Sequence, residues 1–439
     1  MAVTARQAAY QVLMRCRKDG AWSEDAVSAE IAKCGLDSRD GALCSRIAIG
    51  VLQNIGYLDY YIGYYCSMPL KKLDPRLLDI LRLSAYQLLF MDKIPVSAAV
   101  NEGVSLCKKQ VNPKAAGLCN AVLRRIGENR EQLPEIPGKP GAEYLSVRYS
   151  HPLWYVQELM EQYGLEFAQQ VLEANNEIPP VYAHANPLCG DVCLTESLAD
   201  FGAAAAALDG TVTLTTTAGI ATCESFRKGE FYIQDLAAKL AGLVGDAKPG
   251  MTVLDACAAP GGKTMTAAMR MDNCGRIISC DVHEKKLRLI RENAQRLGVT
   301  IVETRAMDAR KPMEDLTGIA DLVIADVPCS GLGVIRRRPE IRNKSREELD
   351  RLPEIQLDIL EGLAPCVKAG GVLVYSTCTV RSKENELLAE EFLRRHEEFV
   401  AEPFTLPCGI GDVDTGMMTF WPHLHGTDGF FVCKMRKRI

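Results

Sequence analysis

MTVLDACAAPGGKT, residues 251–264, decides the fold. MTVLDA is a short β-branched run that ends on an acid. Small residues follow, then a glycine pair, then a stretch of helical character. A strand that turns into a helix within a few small residues is the opening of a βαβ unit. Two glycines there let backbone approach a ligand closely at a helix N-terminus. The stretch is not a P-loop, because Cys257 stands where G-x-x-x-x-G-K-[ST] needs glycine, and it is not G-x-G-x-x-G. A tight strand–helix turn also needs glycine for shape alone, so the motif by itself is modest.

Downstream the same rhythm repeats. GRIISCD, TIVETRAMD, DLVIADVP and GGVLVYSTC are short apolar or β-branched runs, and DGFFVCKM reads as a last strand. Helical stretches such as HEKKLRLIRENAQRLG separate them. Strands alternating with helices predict a doubly wound, Rossmann-like α/β domain whose parallel sheet is covered on both faces. Acids stand at four successive strand ends: Asp255, Asp281, Asp308 and Asp326. Asp281 lies 19 residues after Gly262, where such folds place an acid for ribose hydroxyls. Ligands bind at those carboxyl ends. Without a P-loop, a nucleoside lacking a polyphosphate fits best: S-adenosylmethionine first, NAD second.

Two cysteines share this edge. Cys329 follows the fourth strand in ADVPCSG, and Cys378 ends the fifth in VLVYSTC. If those strands are neighbours, both thiols face one cleft. Cys329 read alone is a nucleophile, a helper, a ligand or a packed thiol. The pair suits methylation of pyrimidine C5, a poor nucleophile until a thiolate adds at C6. Asp326 can then bind the base edge, and a further base must remove the C5 proton. The base must leave its stack to reach them.

Upstream the character changes. Residues 1–130 read as a helical bundle, its first helix running from a Thr4 cap to Gly20. NREQLPEIPGKPGAE carries three prolines, and 131–143 is taken as a linker. Residues 144–245 read as a small α+β connector, with strands in VYAHANPL, TVTLTTT and GEFYIQD. The catalytic domain then spans 246–439. Net charge is −5, yet residues 1–130 hold 18 Lys and Arg against 12 Asp and Glu, which hints at a polyanion partner there. No apolar run nears the roughly 18 residues of a membrane span, and no signal peptide is evident, so a cytoplasmic protein is expected. The 17 cysteines are scattered without C-x-x-C, so reduced thiols are expected and no metal.

DACAAPGGKT, DVPCSGLG, YSTCT and HGTDGFF together resemble the RNA cytosine-5 methyltransferases of the NOL1/NOP2/Sun superfamily, and PVSAAVNEGVSLCKK resembles the helical RNA-binding NusB domain. The resemblance covers nearly the whole chain. The fusion points to the Sun/Fmu type, which implies methylation of a cytosine in small-subunit (16S) ribosomal RNA. It implies that Cys257, Ala258, Ala259, Pro260, Gly261, Gly262, Lys263, Asp281, Asp308 and Asp326 bind S-adenosylmethionine. It further implies that Asp326 faces the cytosine, Cys378 is the C6 nucleophile, and Cys329 assists release. Two departures fall on expected RNA-contacting surfaces: Asn343, where the family usually has an aromatic, and His184, where it tends to have arginine. Val334 to Arg346 holds six basic residues against Glu340 and reads as a phosphate-contacting loop. The expectation is a monomeric enzyme acting on ribosomal RNA, without membrane or metal. The competing readings are an RNA-binding assembly or antitermination factor with a vestigial catalytic domain, and a DNA cytosine-5 methyltransferase.

Overall fold

Parallel strands buried on both faces need apolar residues almost throughout, and residues 320–326 and 372–377 supply them. A computed structural model describes residues 3–311 and 314–439. Its contacts divide into two units. One comprises residues up to 177 together with 335–344; the other comprises 178–334 and 345–439. This division falls at 177/178, within the stretch expected as the connector.

The second unit holds the central sheet. Its strands are β1 (Thr252–Asp255), β2 (Arg276–Asp281), β3 (Val302–Ala306), β4 (Ala320–Asp326), β5 (Val367–Thr377), β6 (Phe399–Ala401), β7 (Met417–Phe420) and β8 (Phe430–Lys437). The order is β6-β8-β5-β4-β1-β2-β3, and β7 also pairs with the first half of β8. β1 to β5 are mutually parallel. β8 runs antiparallel to β5, pairing Phe431 with Thr377. The chain therefore winds away from β1 in both directions, and the doubly wound α/β expectation holds. The crevice at the switch point lies outside the carboxyl ends of β1 and β4. Because β8 is reversed, its first residues also reach that edge.

Both faces of the sheet are covered. Leu240, Met265 and Ile290 pack with Val253 and Ile324 in one cluster. Leu360, Phe392 and Tyr375 pack with Val323 and Leu373 in another. Ahead of this sheet, Val181–Ala185, Thr211–Leu214 and Phe231–Ile233 form three strands of a four-stranded antiparallel sheet.

The first unit is helical. Thr4 caps Ala5–Asp19 with a full capping box, and Gly20 ends it in the left-handed region. Asp37 caps Ser38–Gln53, and Asp74 caps Pro75–Phe90. Ala8, Ile47, Ile80 and Leu123 lie in one common core. The expected linker rests on the helix Ile55–Tyr65: the Tyr61 hydroxyl donates to the Pro134 carbonyl at 3.0 Å, and Tyr60 to Glu135 at 3.2 Å.

Segment 335–344 corrects the phosphate-loop expectation for two of the six basic residues between Val334 and Arg346. Arg342 is buried and donates to the carbonyls of Gln53, Tyr149 (3.2 Å), Ser150 (3.0 Å) and Asn175 (3.2 Å) and to Asn176 Oδ1 (2.6 Å). Arg336 is buried too, and its carbonyl accepts from Gln53 at 3.1 Å. Glu340 accepts from the Ser23 amide (3.0 Å) and hydroxyl (2.8 Å) at the start of helix Ser23–Cys34. The helix ends leave carbonyls that need donors, and a planar guanidinium satisfies several at once. Arg338 and Asn343 are exposed.

Candidate active site

The turn after β1 is built by its own backbone. The Ala258 amide donates to the Cys280 carbonyl at 2.7 Å, tying the turn to β2. Gly261 sits at φ 108°, a conformation that disfavours any Cβ, and opens the helix Gly262–Arg270. That helix places Lys263 against the end of β4. Its Nζ donates to Asp326 Oδ2 at 2.7 Å and lies 4.6 Å from the Phe430 ring at the start of β8. Asp326 Oδ1 accepts from Ser376 Oγ of β5 at 3.0 Å. Three strands and one helix thus fix a single carboxylate.

The other acids do different work. Asp281 Oδ1 accepts the His283 amide at 2.9 Å, which holds the carboxylate in the turn after β2. The Met307 amide donates to the Asp281 carbonyl, bringing the segment that carries Asp308 alongside. Asp308 is gripped by Arg310 at 2.9 and 2.8 Å, and that hydrogen bonding holds its carboxyl at about 2. Asp255 corrects the four-acid pattern. It is buried, its Oδ2 accepts from Thr264 Oγ1 at 2.6 Å, and burial raises it to about 7. Side chains alternate along a strand, and this one turns toward the helix packed on the sheet. Cys257 is surrounded by acids: burial first, then Asp255, Asp326 and Asp281, push its thiol up.

The two strand-tip cysteines meet. Cys329 Sγ lies 3.0 Å from Cys378 Sγ and accepts the Cys378 amide at 3.3 Å. β4 and β5 are hydrogen-bonded neighbours, pairing Asp326 with Ser376, which is why the two tips converge. Hydrogen bonding to Cys378 and burial push the Cys329 thiol well above its ordinary range, with added repulsion from Cys378, Glu384 and Asp326. Of two sulfurs this close, one keeps its proton. Gly333 and Gly429 seal the edge: a Cβ on Gly333 would sit 1.9 Å from the Gly429 carbonyl oxygen.

Such a constellation, carried on this sheet, has relatives. The family model described as 16S rRNA methyltransferase RsmB/F matches residues 243–436, and the NusB family model matches residues 3–128. A probable ribosomal RNA small subunit methyltransferase B of Bacillus subtilis is 36% identical over 99% of each chain. The chain belongs to the RsmB/F methyltransferase family. A Synechocystis relative with the same description is 33% identical over 99% of this chain and all of its own. The crystal structure of a methyltransferase homolog protein from Pyrococcus horikoshii has a TM-score of 0.59 and 28% identity, covering 68% of this chain and all of that one.

In this RsmB/F member, the site brings Lys263, Asp326, Cys329 and Cys378 together and leaves Asp255 aside. His184 is a second correction. It is buried, with Nδ1 at 2.9 Å from Thr211 Oγ1 and Nε2 at 3.0 Å from the Gln234 carbonyl, so it offers no surface for RNA. Sequence reasoning missed Gln356, Glu384 and Asn385, all buried beside the cysteine tips. The one available signal was an acid and an amide soon after YSTCT. Among the described residues, no helix is long and apolar enough to cross a membrane, and no group of three or more His, Cys, Asp or Glu side chains is placed to hold a metal.

Proposed function

We propose that this chain transfers a methyl group from S-adenosylmethionine to C5 of a cytosine in small-subunit ribosomal RNA, through a bond between Cys378 and C6. The observation that carries this reading is the Cys329–Cys378 pair, 3.0 Å apart beside the Asp326 carboxylate.

The donor set suits the cofactor. Asp281 and Asp308 lie at neighbouring strand ends, where ribose hydroxyls are held. The small residues Ala258, Ala259, Gly261 and Gly262 let a nucleoside approach the backbone, with Cys257 and Pro260 completing the turn. The turn lacks the G-x-G-x-x-G that cradles a pyrophosphate, which disfavours NAD. When bound, S-adenosylmethionine supplies an electrophilic methyl group.

Asp326, steadied by Lys263 and Ser376, accepts from the 4-amino group of a flipped cytosine and meets N3 through a proton that N3 takes up as the adduct forms. The Cys378 sulfur adds to C6, and the π pair of the C5–C6 double bond moves onto C5, which would take the methyl and leave the donor as a neutral thioether. The C5 proton then leaves to a base, the C5–C6 double bond re-forms, and the C6–S electrons return to Cys378. Cys329 suits the proton step because its environment changes. While Cys378 is free, its sulfur holds the Cys329 proton in place. Once Cys378 is a neutral thioether that repulsion is gone, so Cys329 can give up its own proton to solvent and then take the C5 proton as the base, or hand its proton on as a relay while the C5 proton arrives.

RNA carrying 5-fluorocytidine tests this. Wild type and Cys329→Ala should yield a covalent protein–RNA band, and Cys378→Ala none. A band retained by Cys378→Ala and lost in Cys329→Ala would overturn the assignment. Transfer of labelled methyl to unmethylated small-subunit RNA, mapped by bisulfite sequencing, checks the substrate.

A further inference from the structure

Each cysteine tip is gripped on both sides from one dipeptide. Glu384 ends a short 3-10 turn, Ser382–Glu384, Asn385 follows it, and both are fully buried. Glu384 Oε2 accepts the Ser330 amide at 2.8 Å and Gln356 Nε2 at 3.0 Å. The same Gln356 nitrogen donates to the Pro328 carbonyl at 2.9 Å. Residues 328 and 330, on either side of Cys329, are therefore held by one carboxylate–amide pair. Asn385 does the same for Cys378. Its Oδ1 accepts Thr377 Oγ1 at 2.6 Å, and its Nδ2 donates to the Thr379 carbonyl at 3.0 Å. Ser330 Oγ and Thr379 Oγ1 are 2.7 Å apart and join the two tips. Tyr375 holds the Glu384 carbonyl, and the Arg381 guanidinium sits 3.7 Å from Glu384 Oε1.

A buried carboxylate is costly unless it is hydrogen-bonded and faces a cation, and this one is both. Its donors are not helix-ladder groups. They are the backbone and one side chain that aim a thiol. We infer that Glu384 with Gln356, and Asn385 separately, are positioning residues that set the two cysteines for different steps: the first pair for release of the methylated base, the second for adduct formation. The inference rests on the proposed roles of Cys378 and Cys329.

The two arms give opposite signatures. With ordinary cytidine RNA, Gln356→Leu and Glu384→Ala should accumulate the covalent complex about tenfold over wild type, since misplacing a reacting group by a fraction of an ångström costs that much or more. Cys329→Ser should do likewise. Glu384→Gln, which keeps an oxygen for the Ser330 amide, should restore most of the release. Asn385→Ala should instead form the complex about tenfold more slowly, without accumulation. Melting curves identify folded variants, and Gln356→Leu, which buries no charge, covers the case in which Glu384→Ala does not fold. Folded Gln356→Leu, and Glu384→Ala where it folds, with wild-type complex levels while Cys329→Ser traps RNA, would overturn the inference alone. No complex from wild type on 5-fluorocytidine RNA would overturn the proposed function and the inference together.

Discussion

The strand-tip crevice and the basic segment at 335–344 lie a few residues apart in one stretch, ADVPCSGLGVIRRRPEIRNK, and they behave oppositely. In the crevice, position in the sheet places each group. Asp326 and Cys329 stand at the tip of β4, next to the tip of β5, and their partners arrive from neighbouring elements of the same unit. In the segment, charge is abundant, but Arg342 and Arg336 are buried with the helical unit. Topology predicts where a polar group must face a ligand. Local charge density does not, because a guanidinium serves a buried cluster of carbonyls as well as a phosphate.

The largest effect that separates the two regions is expected at Arg342. Arg342→Met leaves the Gln53, Tyr149, Ser150 and Asn175 carbonyls without this donor inside the helical unit. A buried acceptor left unsatisfied costs about 1–3 kcal/mol, and several are affected here, so the loss should be at least of that size. Denaturant unfolding and hydrogen exchange of Ser38–Gln53 and Leu165–Ala174 would show it. Unchanged stability with lost RNA affinity would restore the phosphate-loop reading of this residue.

Asp326→Asn comes next and acts on turnover. The carboxylate is partly exposed and its loss opens no core cavity. Methyl transfer should fall about 100-fold or more, as when one preorganised polar group is removed from a reacting centre. The melting temperature should hardly move. A matched loss of stability would make Asp326 a structural ion-pair partner of Lys263 and weaken the contrast.

The same contrast explains what the sequence could reveal. Thr4, Gly20, Asp37 and Asp74 mark helix ends through local chemistry, and four of the five strand runs from MTVLDA to VLVYSTC carry their burial in their own composition, the edge strand Val302–Ala306 being largely exposed. Cys329 and Cys378 were legible as a pair because neighbouring parallel strands align their tips. Asp255 was not, since the last residue of a strand can point to either side and only packing decides. Glu384 and Gln356 were hidden because their partners lie 54 and 28 residues away. No local pattern marks a buried acid whose donors are that distant.

His184 offers a smaller test, with acid as the probe. Burial, then Lys239, lowers its imidazole to about 4 from an ordinary 6.5, while the Gln234 carbonyl opposes the shift. A histidine held neutral in the fold binds fewer protons than the unfolded chain between those values. Its stability contribution is therefore complete above about pH 6.5 and is lost as pH falls toward 4. At about 1.4 kcal/mol per pH unit, roughly 2 kcal/mol should disappear between pH 6.5 and 5. His184→Gln should flatten that slope. An unchanged slope would mean that other groups carry it.

The smallest effect on stability is expected at Arg338, and it decides what remains of the basic segment's first reading. Its guanidinium lies 4.9 Å from the Trp22 ring, and both residues are exposed. An exposed contact of this kind is worth about 0.5–1 kcal/mol at most, so Arg338→Ala should leave unfolding almost unchanged. RNA binding is the informative measurement. If Arg338 touches a phosphate, its removal should lower the salt dependence of binding by about one released counterion, equally for different RNA sequences. Arg342→Met, with its guanidinium buried away from RNA, should leave that slope alone in whatever fraction stays folded. Equal slopes for Arg338→Ala and wild type would remove Arg338 from the phosphate-contacting residues. A reduced slope would show that one short stretch divides its arginines between the two tasks according to burial.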